Sequence, residues 1–170
     1  MNTGKMHPLH AISGAEQTTI NTTSWVGHFP GIDKEISKGQ TFTAVSEGDL
    51  EGIEVLPTLV THPGEVSMSV HEYDVVNKKW GNVLCSTKVQ VKKSDCGKWM
   101  RFSIPNLHLS KGQSYGFKLA SHDSFIGVAE AVGSAKNPPF PSGSEWRFHE
   151  NGHADSFSYI SLAFKVALRS

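Results

Sequence analysis

The sequence predicts an all-β fold, an antiparallel β-sandwich of about nine strands with little or no helix. From Gln40 onward, short runs rich in β-branched and aromatic residues recur, and many alternate apolar and polar residues with period two. Clusters of Gly, Pro, Asn, Asp and Ser separate these runs. No segment has the length and periodicity of a crossover helix, so the strands are expected to pair antiparallel.

The predicted strands follow one another along the chain at short intervals. They are TFTAV, LEGIEVL, EVSMSVHEY, VLCSTKVQV, KWMRFSI, SYGFKLAS, FIGVAEAV, SEWRFHE and SFSYISLAFKVAL. In the third run, Val66, Met68 and Val70 share one face of the strand. The polar turn within VVNKKWGNV, after that run, is typical of a hairpin.

The C-terminal part of the chain is predicted to end in a long core strand. Its apolar residues alternate in a continuous inward row, which comprises Ile160, Leu162, Phe164, Val166 and Leu168. Before it, the prolines at 138, 139 and 141 predict an extended surface loop. Ser142-Gly143 and Asn151-Gly152 predict turns. The Ala-rich run GVAEAVGSAK is bracketed by glycines at 127 and 133, which makes it a poor helix.

Two regions are distinguished along the chain. Residues 1–38 are rich in Thr, Ser, Gly, Asn and His and show little periodicity, so they are predicted to form an irregular N-terminal arm packed on the sandwich. One strand is expected in the arm, at Thr22–Val26. Residues 39–170 are predicted to form a single β-sandwich domain, and a chain of 170 residues can bury a sizeable core.

Composition argues against several classes of partner. Charged residues make up 19% of the chain and the formal net charge is zero, which argues against nucleic acid and against a polybasic membrane surface. No apolar run is long enough for membrane insertion. No signal peptide is visible at the N-terminus, so the chain is expected to be cytoplasmic unless a leader has been removed.

Cys85 and Cys96 are the two cysteines, and we predict that both are free thiols. Cys85 lies in a predicted strand and Cys96 in the turn KKSDCGK. If residues 83–91 and 98–104 form a hairpin about that turn, the two Cα atoms are too far apart for a disulfide.

A set of residues, mainly aromatic, glycine and apolar, follows a recognisable order along most of the chain. The series is Gly39, Gln40, Phe42, Ile53, Val55, Trp80, Gly81, Val83, Trp99, Phe102, Ile104, Leu107, Leu109, Gly112, Gln113, Tyr115, Phe117, Leu119, Phe140, Pro141, Gly143, Asp155, Leu162, Phe164 and Val166. This pattern resembles bacterial jelly-roll accessory domains and carbohydrate-binding-module-like domains of glycan-active proteins. The resemblance implies a jelly-roll sandwich and a non-catalytic carbohydrate-binding or scaffold role.

Aromatic side chains are the main candidates for ligand contact, because their flat faces stack on sugar rings. Trp80 follows a predicted turn, and Trp99 lies beside Arg101 on the face opposite Met100, Phe102 and Ile104. Core packing is the competing interpretation for each tryptophan. The predicted ligand-binding set is Trp80, Trp99, Arg101, Tyr73, Trp146, His149, His153 and Asp155.

The segment HENGH carries His149 and His153 at a spacing that binds zinc on a helix. Asn151-Gly152 favours a turn instead, so the two histidines would join Asp155 only if the loop folds back. Calcium in a loop is not supported by the spacing of the acidic residues. We therefore predict no metal and no cofactor.

Three functions stay open, in this order. The leading hypothesis is a non-enzymatic glycan-binding or glycan-associated module with an oligosaccharide ligand. The alternative is a structural protein that assembles through a sheet edge or loop face, as a homo-oligomer or in a larger assembly. The third is a hydrolase that uses His153 and Asp155 or His122 and Asp123, although no nucleophile motif accompanies them. The two acids of HEYD (71–74) are two residues apart on one strand, a spacing that any strand produces, so they do not support the hydrolase hypothesis.

Overall fold

The computed structural model describes residues 11–169, which form fifteen strands in two sheets and one short 3₁₀ turn at Lys93–Asp95. The smaller sheet contains β1 (Ala11–Gln17), β4 (Gly48–Val55), β8 (Met100–Ser103), β9 (His108–Leu109) and β15 (Phe164–Arg169). The larger sheet contains β2 (Thr22–His28), β3 (Glu35–Thr43), β5 (Pro57–His62), β6 (Gly64–Asp74), β7 (Lys79–Val91), β10 (Ser114–Ala120), β11 (Phe125–Val132), β12 (Glu145–Phe148), β13 (Ala154–Phe157) and β14 (Ile160–Leu162).

All pairings between these strands are antiparallel, which confirms the predicted all-β sandwich with little helix. The number of strands is higher than the nine predicted, because the last predicted run is divided among β13, β14 and β15, and because β1, β2, β5 and β9 lie outside the nine runs. Within residues 11–169, no helix has the length and apolar character needed to cross a bilayer.

The strand order shows how the chain connects the two sheets. The smaller sheet runs β1-β15-β4-β8, with β9 paired to β4. The larger sheet runs β14-β11-β2-β3-β10-β6-β7. Three further strands extend it, with β12 on β3, β13 on β12 and β5 on β11.

The core consists of the inward-facing apolar side chains of both sheets. The largest fully buried side chains are Phe42, Phe102, Phe117, Phe164, Leu50, Ile53, Met68, Ile104, Leu109, Leu119, Ile126 and Leu162. Phe164 lies at an aromatic centre, with its ring centroid 5.2 Å from that of Phe140, 5.5 Å from that of Phe117 and 6.0 Å from that of Phe42. This centre joins β15 of the smaller sheet to β3 and β10 of the larger sheet.

At Ala163 the chain passes from the larger sheet to the smaller one, within a segment that we predicted as one continuous strand. The final predicted strand is divided at Ala163, so that β14 pairs with β11 in the larger sheet and β15 pairs with β1 and β4 in the smaller sheet. The row of inward residues continues through this corner, since Leu162, Phe164 and Val166 are all buried. The Ala-rich run is not helical, in agreement with its poor helix pattern, and its residues 127–132 belong to strand β11.

The predicted hairpin between residues 83–91 and 98–104 is wrong. Strand β7 pairs with β6 in the larger sheet and β8 pairs with β4 in the smaller sheet, because the polar turn between them crosses from one sheet to the other. Cys85 and Cys96 are both free thiols, as predicted, although the hairpin was not the reason.

The prediction of an irregular arm is wrong for residues 11–17, which form β1, whereas the strand expected in the arm at Thr22–Val26 is present as β2. Strand β1 pairs with β15, and β2 pairs with β11 and β3. The strand signal in β2 was weak because the residue on its inner face next to Val26 is the polar Ser24, which is buried among other polar groups. The predicted boundary at residue 38 falls inside β3, and residues 1–10 of the arm lie outside the described residues.

Candidate functional site

An aromatic cluster lies on the outer face of the larger sheet, where it is assembled by β6, β7 and β12. The ring of Trp80 meets the rings of Tyr73, Trp146 and Phe148 edge to face, with centroid distances of 6.0, 5.9 and 5.1 Å. Tyr73 and Trp80 are directly opposite each other in the β6–β7 hairpin. Edge-to-face contacts of this kind are the geometry that aromatic quadrupoles favour.

Two glycines form the floor on which the Trp80 indole lies. A Cβ atom placed on Gly116 in β10 would lie 2.5 Å from the Trp80 ring, and one on Gly39 in β3 would lie 3.0 Å from it. Both positions therefore exclude any side chain, and the indole packs directly on the backbone of the sheet. Gly39, which belongs to the pattern quoted for the resemblance, and Gly116, which does not, thus both position Trp80.

Burial distinguishes the two tryptophans of this cluster. Trp146 is 7% exposed and packs in the cluster, which is the competing interpretation considered for it. Trp80 is half-buried. The Nε1 atoms of both indoles are buried and find no hydrogen-bond partner among the described residues. Contact of Trp80 with a ligand stays a prediction.

A groove adjoins the exposed side of Tyr73 and Trp80, and we call it the Tyr73 groove. It comprises two neighbouring pockets of about 550 and 250 Å³ that share Tyr73, Val75 and Ser114. The first is lined by Glu72, Tyr73, Asp74, Val75, Lys79, Trp80, Gly81, Gly112, Gln113 and Ser114. The second is bounded by the β3 residues Thr41 and Thr43 and by the loop before β12.

The Tyr73 groove has equal numbers of acidic and basic side chains. Glu72 and Asp74 are opposed by Lys78 and Lys79, so the formal charge of these four groups is zero. Burial, and then the neighbouring Asp74, raise the pKa of Tyr73, so its hydroxyl stays protonated and can donate a hydrogen bond.

Asp74 is committed to the turn at the end of the groove. Its Oδ1 accepts hydrogen bonds from the backbone N–H groups of Val76 (3.0 Å) and Asn77 (3.1 Å), and its Oδ2 accepts one from Asn77 Nδ2 (2.7 Å). These bonds, those from the Asn77 side chain first, lower the pKa of Asp74. Asp74 therefore fixes the hairpin tip, which in turn positions Tyr73 opposite Trp80.

The proline-containing loop forms the far wall of the groove through Pro138 and Pro141. The loop is held at its end by Thr41, whose backbone N–H donates to Ser144 O (3.0 Å) and whose Oγ1 accepts from Ser144 N (3.0 Å). Phe140 anchors the loop from below by packing on Phe164. This surface loop is therefore fixed to the core and to β3.

Trp99 and Arg101 lie on the smaller sheet, away from the Tyr73 groove. The Nζ atom of Lys165 lies 4.3 Å from the centre of the Trp99 ring, and so covers one of its faces. Arg101 forms an ion pair with Glu54, with 2.9 Å between Nη2 and Oε2, and its outward direction agrees with the burial of Met100 and Phe102. The structure thus separates these two residues from the other predicted ligand-binding residues.

His149, His153 and Asp155 come together at the β12–β13 hairpin, because the loop folds back about Gly152, which has a φ of 86°. Asp155 accepts hydrogen bonds from His149 Nε2 and His153 Nε2, both at 2.9 Å. These bonds, that from His149 first, lower the pKa of Asp155. Although these three side chains are close together, no group of three or more His, Cys, Asp or Glu residues within residues 11–169 has an arrangement that could hold a metal ion.

His122 and Asp123 contact different partners. The Nδ1 atom of His122 lies 3.0 Å from Glu35 Oε1, whereas Asp123 Oδ1 accepts from the Glu65 backbone N–H at 3.0 Å. The hydrogen bonds of these two residues therefore link them to separate parts of the sheet rather than to each other.

A buried polar cluster was missed in the sequence. It consists of Ser24, Lys38, Glu130 and Glu145, all of them buried on the inner side of the larger sheet. A signal was present, because Glu130 continues the inward row of Ile126 and Val128 in an otherwise apolar strand.

Comparisons with protein-family models and with curated protein sequences find no match for this chain. The jelly-roll resemblance therefore rests on the residue pattern alone.

Proposed function

We propose that this protein is a non-catalytic glycan-binding module of the jelly-roll type, which binds a neutral oligosaccharide in the Tyr73 groove. The observation that carries the proposal is the composition of the groove. An aromatic pair, Tyr73 and Trp80, lies beside the hydrogen-bonding side chains of Glu72, Gln113 and Ser114, and the four charges at the groove cancel.

This composition suits the two faces of a sugar ring. The axial C–H groups of a pyranose stack on an aromatic side chain, and its hydroxyls need both donors and acceptors at the rim. Ser114 is held in place by a hydrogen bond of 2.8 Å between its Oγ and Thr43 Oγ1. Tyr73 supplies a protonated hydroxyl. A charge-balanced groove favours neutral over charged saccharides.

Binding without hydrolysis follows from the state of the acidic residues. A glycosidase needs two carboxyl groups on either side of the scissile bond. In the groove, Asp74 is committed to the hairpin tip, which leaves Glu72 as the carboxylate that faces a ligand. One carboxylate supports recognition of a sugar hydroxyl better than acid–base catalysis.

Substitution of Tyr73 by alanine is expected to weaken saccharide binding about tenfold, the equivalent of about 1.4 kcal/mol, because it removes the aromatic surface shared by both halves of the groove. Gln113→Ala is expected to weaken binding without loss of the aromatic pair. Binding is measured on a panel of immobilised neutral oligosaccharides, and Trp fluorescence titration follows for each ligand retained.

Trp80→Ala and Trp99→Ala distinguish the two sheets. We expect Trp80→Ala to abolish binding, whereas Trp99→Ala, on the smaller sheet, retains it. Loss of binding in Trp99→Ala with Tyr73→Ala unaffected would place the ligand on the other sheet and contradict the proposal. A wild-type protein that retains no saccharide from the panel would also contradict it.

The alternative function, assembly through a sheet edge, is favoured by strand β7. This strand has 13 residues and pairs only with β6 among the described strands, so one of its edges is unpaired. Its Val83 side chain is 56% exposed. An unpaired edge of this length is a template for pairing with another chain.

If β7 mediates assembly, the mass of the protein in light scattering will increase with concentration, and Val83→Lys will reduce that increase. Lysine at an exposed edge opposes pairing with a second strand because it must be desolvated. A monomer at every concentration would contradict the assembly function and leave glycan binding as the proposal.

A further inference from the structure

A serine and a histidine contact each other on the outer face of the larger sheet, beside the Tyr73 groove but not among the residues that line it. Ser69 and His71 are two residues apart in β6, so their side chains point to the same face of the strand. Ser69 Oγ lies 2.8 Å from His71 Nε2, the distance at which a nucleophile hydrogen-bonds to its base. Both residues are only partly buried, so a small molecule can reach the hydroxyl group.

The hydrogen bonds of the His71 imidazole define its tautomer. Nδ1 lies 3.2 Å from the carbonyl oxygen of Gly81 in β7, and a carbonyl oxygen can only accept. Nδ1 therefore carries the hydrogen, which leaves Nε2 of the neutral ring with a lone pair. The Ser69 hydroxyl then donates to Nε2, as a nucleophile does to its general base. The Gly81 carbonyl takes the orienting place that a carboxylate has in a Ser-His-Asp triad.

The surroundings of His71 favour its neutral form. Burial lowers the pKa of His71; the hydrogen bond to Gly81 opposes this shift, and the ammonium group of Lys118 in β10 adds to it. The indole of Trp80, which faces the ring from β7, is uncharged, and so is Tyr73, the next residue on this face of β6, because its pKa is raised. His71 is therefore neutral near pH 7, and its Nε2 is available as a base.

Lys118 places a positive charge beside the serine. In the antiparallel pairing of β10 with β6, Lys118 is directly opposite Ser69, so their Cβ atoms are about 5 Å apart. Its Nζ lies 4.6 Å from the centre of the Phe148 ring, a contact that holds the ammonium group over this face of the sheet. When Ser69 attacks a carbonyl group, the carbonyl oxygen becomes negative, and a nearby cation stabilises it. The Trp80 ring, whose centroid is 5.3 Å from that of His71, offers an apolar surface to the substituent of the carbonyl group.

A neighbouring serine on the same face of β6 has a different partner. Ser67 Oγ donates to the carbonyl oxygen of Ala120 at 3.2 Å. A carbonyl oxygen is far too weak a base to take up the proton of a hydroxyl group, so this hydrogen bond does not activate Ser67. Both serines are partly buried in the same strand, and the imidazole contact is what distinguishes Ser69 from Ser67.

We propose that Ser69 is a nucleophile that accepts an acyl group from an ester, with His71 as its general base. A bond forms between Ser69 Oγ and the carbonyl carbon of the ester, and the bond from that carbon to the alcohol oxygen breaks. The hydroxyl proton passes to His71 Nε2 and then to the departing alkoxide, which leaves as the alcohol. The product is one acylated serine, a covalent modification that is independent of glycan binding in the Tyr73 groove.

The test uses two reagents on the full chain. One is p-nitrophenyl acetate, an activated ester; the other is diisopropyl fluorophosphate, which forms a stable adduct when the serine oxygen binds phosphorus and fluoride leaves. Peptide mass spectrometry identifies the modified residues and separates Ser69 from lysines that are acetylated in the background. We expect modification at Ser69 and none at Ser67. The rate is expected to reach half its maximum at a pH below 6.5, the ordinary pKa of histidine, because His71 is a base only when neutral.

His71→Gln distinguishes a base from a structural contact. Glutamine can hydrogen-bond to both Ser69 and Gly81 but cannot take up a proton, so we expect modification of Ser69 to slow by about 100-fold or more. Lys118→Met is expected to slow it severalfold. Ser67→Ala is the matched control, and it is expected to react at the wild-type rate.

Three results would overturn the proposal. They are a Ser69 that neither reagent modifies, a Ser67 that reacts as fast as Ser69, and a His71→Gln variant that reacts at the wild-type rate. The pH profile of the wild type tests the base without any substitution. A rate of Ser69 modification that is the same at about pH 5 and at about pH 8 would exclude His71 as the base.

Discussion

Replacement of Phe164 by alanine is expected to lower the free energy of unfolding by about 3–5 kcal/mol, a large part of the stability of a typical domain. Phe164 is fully buried and its ring contacts those of Phe42, Phe117 and Phe140. The substitution leaves a cavity at the point where the two sheets and the proline-containing loop meet, and the surrounding β-sheets can collapse only partly into it.

The loss at Phe164 is measured by urea unfolding of both proteins, with the slope of the transition as a check on two-state behaviour. Val45→Ala is a matched control, because Val45 is 59% exposed and its truncation removes little buried surface. A change of less than about 1 kcal/mol in Phe164→Ala would show that this aromatic centre does not hold the sheets together.

Replacement of Glu145 by glutamine is expected to change how stability depends on pH. Burial raises the pKa of Glu145 to about 9 in the folded protein, whereas in the unfolded chain its carboxyl group ionises near the ordinary pKa of 4.5. Between these two pH values the folded state binds more protons than the unfolded state, so this group makes stability fall as pH rises. The glutamine variant has no ionisable group at position 145, so it lacks this decrease in stability with rising pH.

The measurement is the difference in the free energy of unfolding between Glu145→Gln and the wild type. We expect this difference to grow in favour of the variant by about 1.4 kcal/mol per pH unit from about pH 5 to about pH 8. His71, whose pKa burial lowers, and His108, whose pKa its bond to Asp49 raises, are present in both proteins and cancel. A difference that stays constant with pH would mean that Glu145 is ionised in the folded state.

The fold class could be predicted because period-two alternation in β-strands reports directly on burial. Val66, Met68 and Val70, which alternate in the sequence, are all fully buried in β6. The strand bounds could not be predicted where the chain changes sheets, as at Ala163. A corner keeps the inward row of apolar residues intact, so the pattern does not mark where hydrogen-bonding partners change.

The candidate sites were predictable only in part. The sequence indicated Tyr73 and Trp80 through their place at a hairpin, but the glycines beneath them, Gly39 and Gly116, come from strands distant in the sequence. The buried cluster was missed, and the sequence signal for β2 was weak, for one shared reason. Ser24 and Glu145 are polar residues at inward positions, and such residues reduce the hydrophobic pattern from which strands are predicted.

The most direct test of the glycan-binding proposal is a map of backbone amide shifts with the neutral oligosaccharides of the panel added to the full chain. We predict saturable shifts that are confined to the hairpin residues 72–81 and to residues 112–114, which line the Tyr73 groove. The absence of shifts with every oligosaccharide, or shifts confined to the strand that follows Trp99, would contradict the proposal.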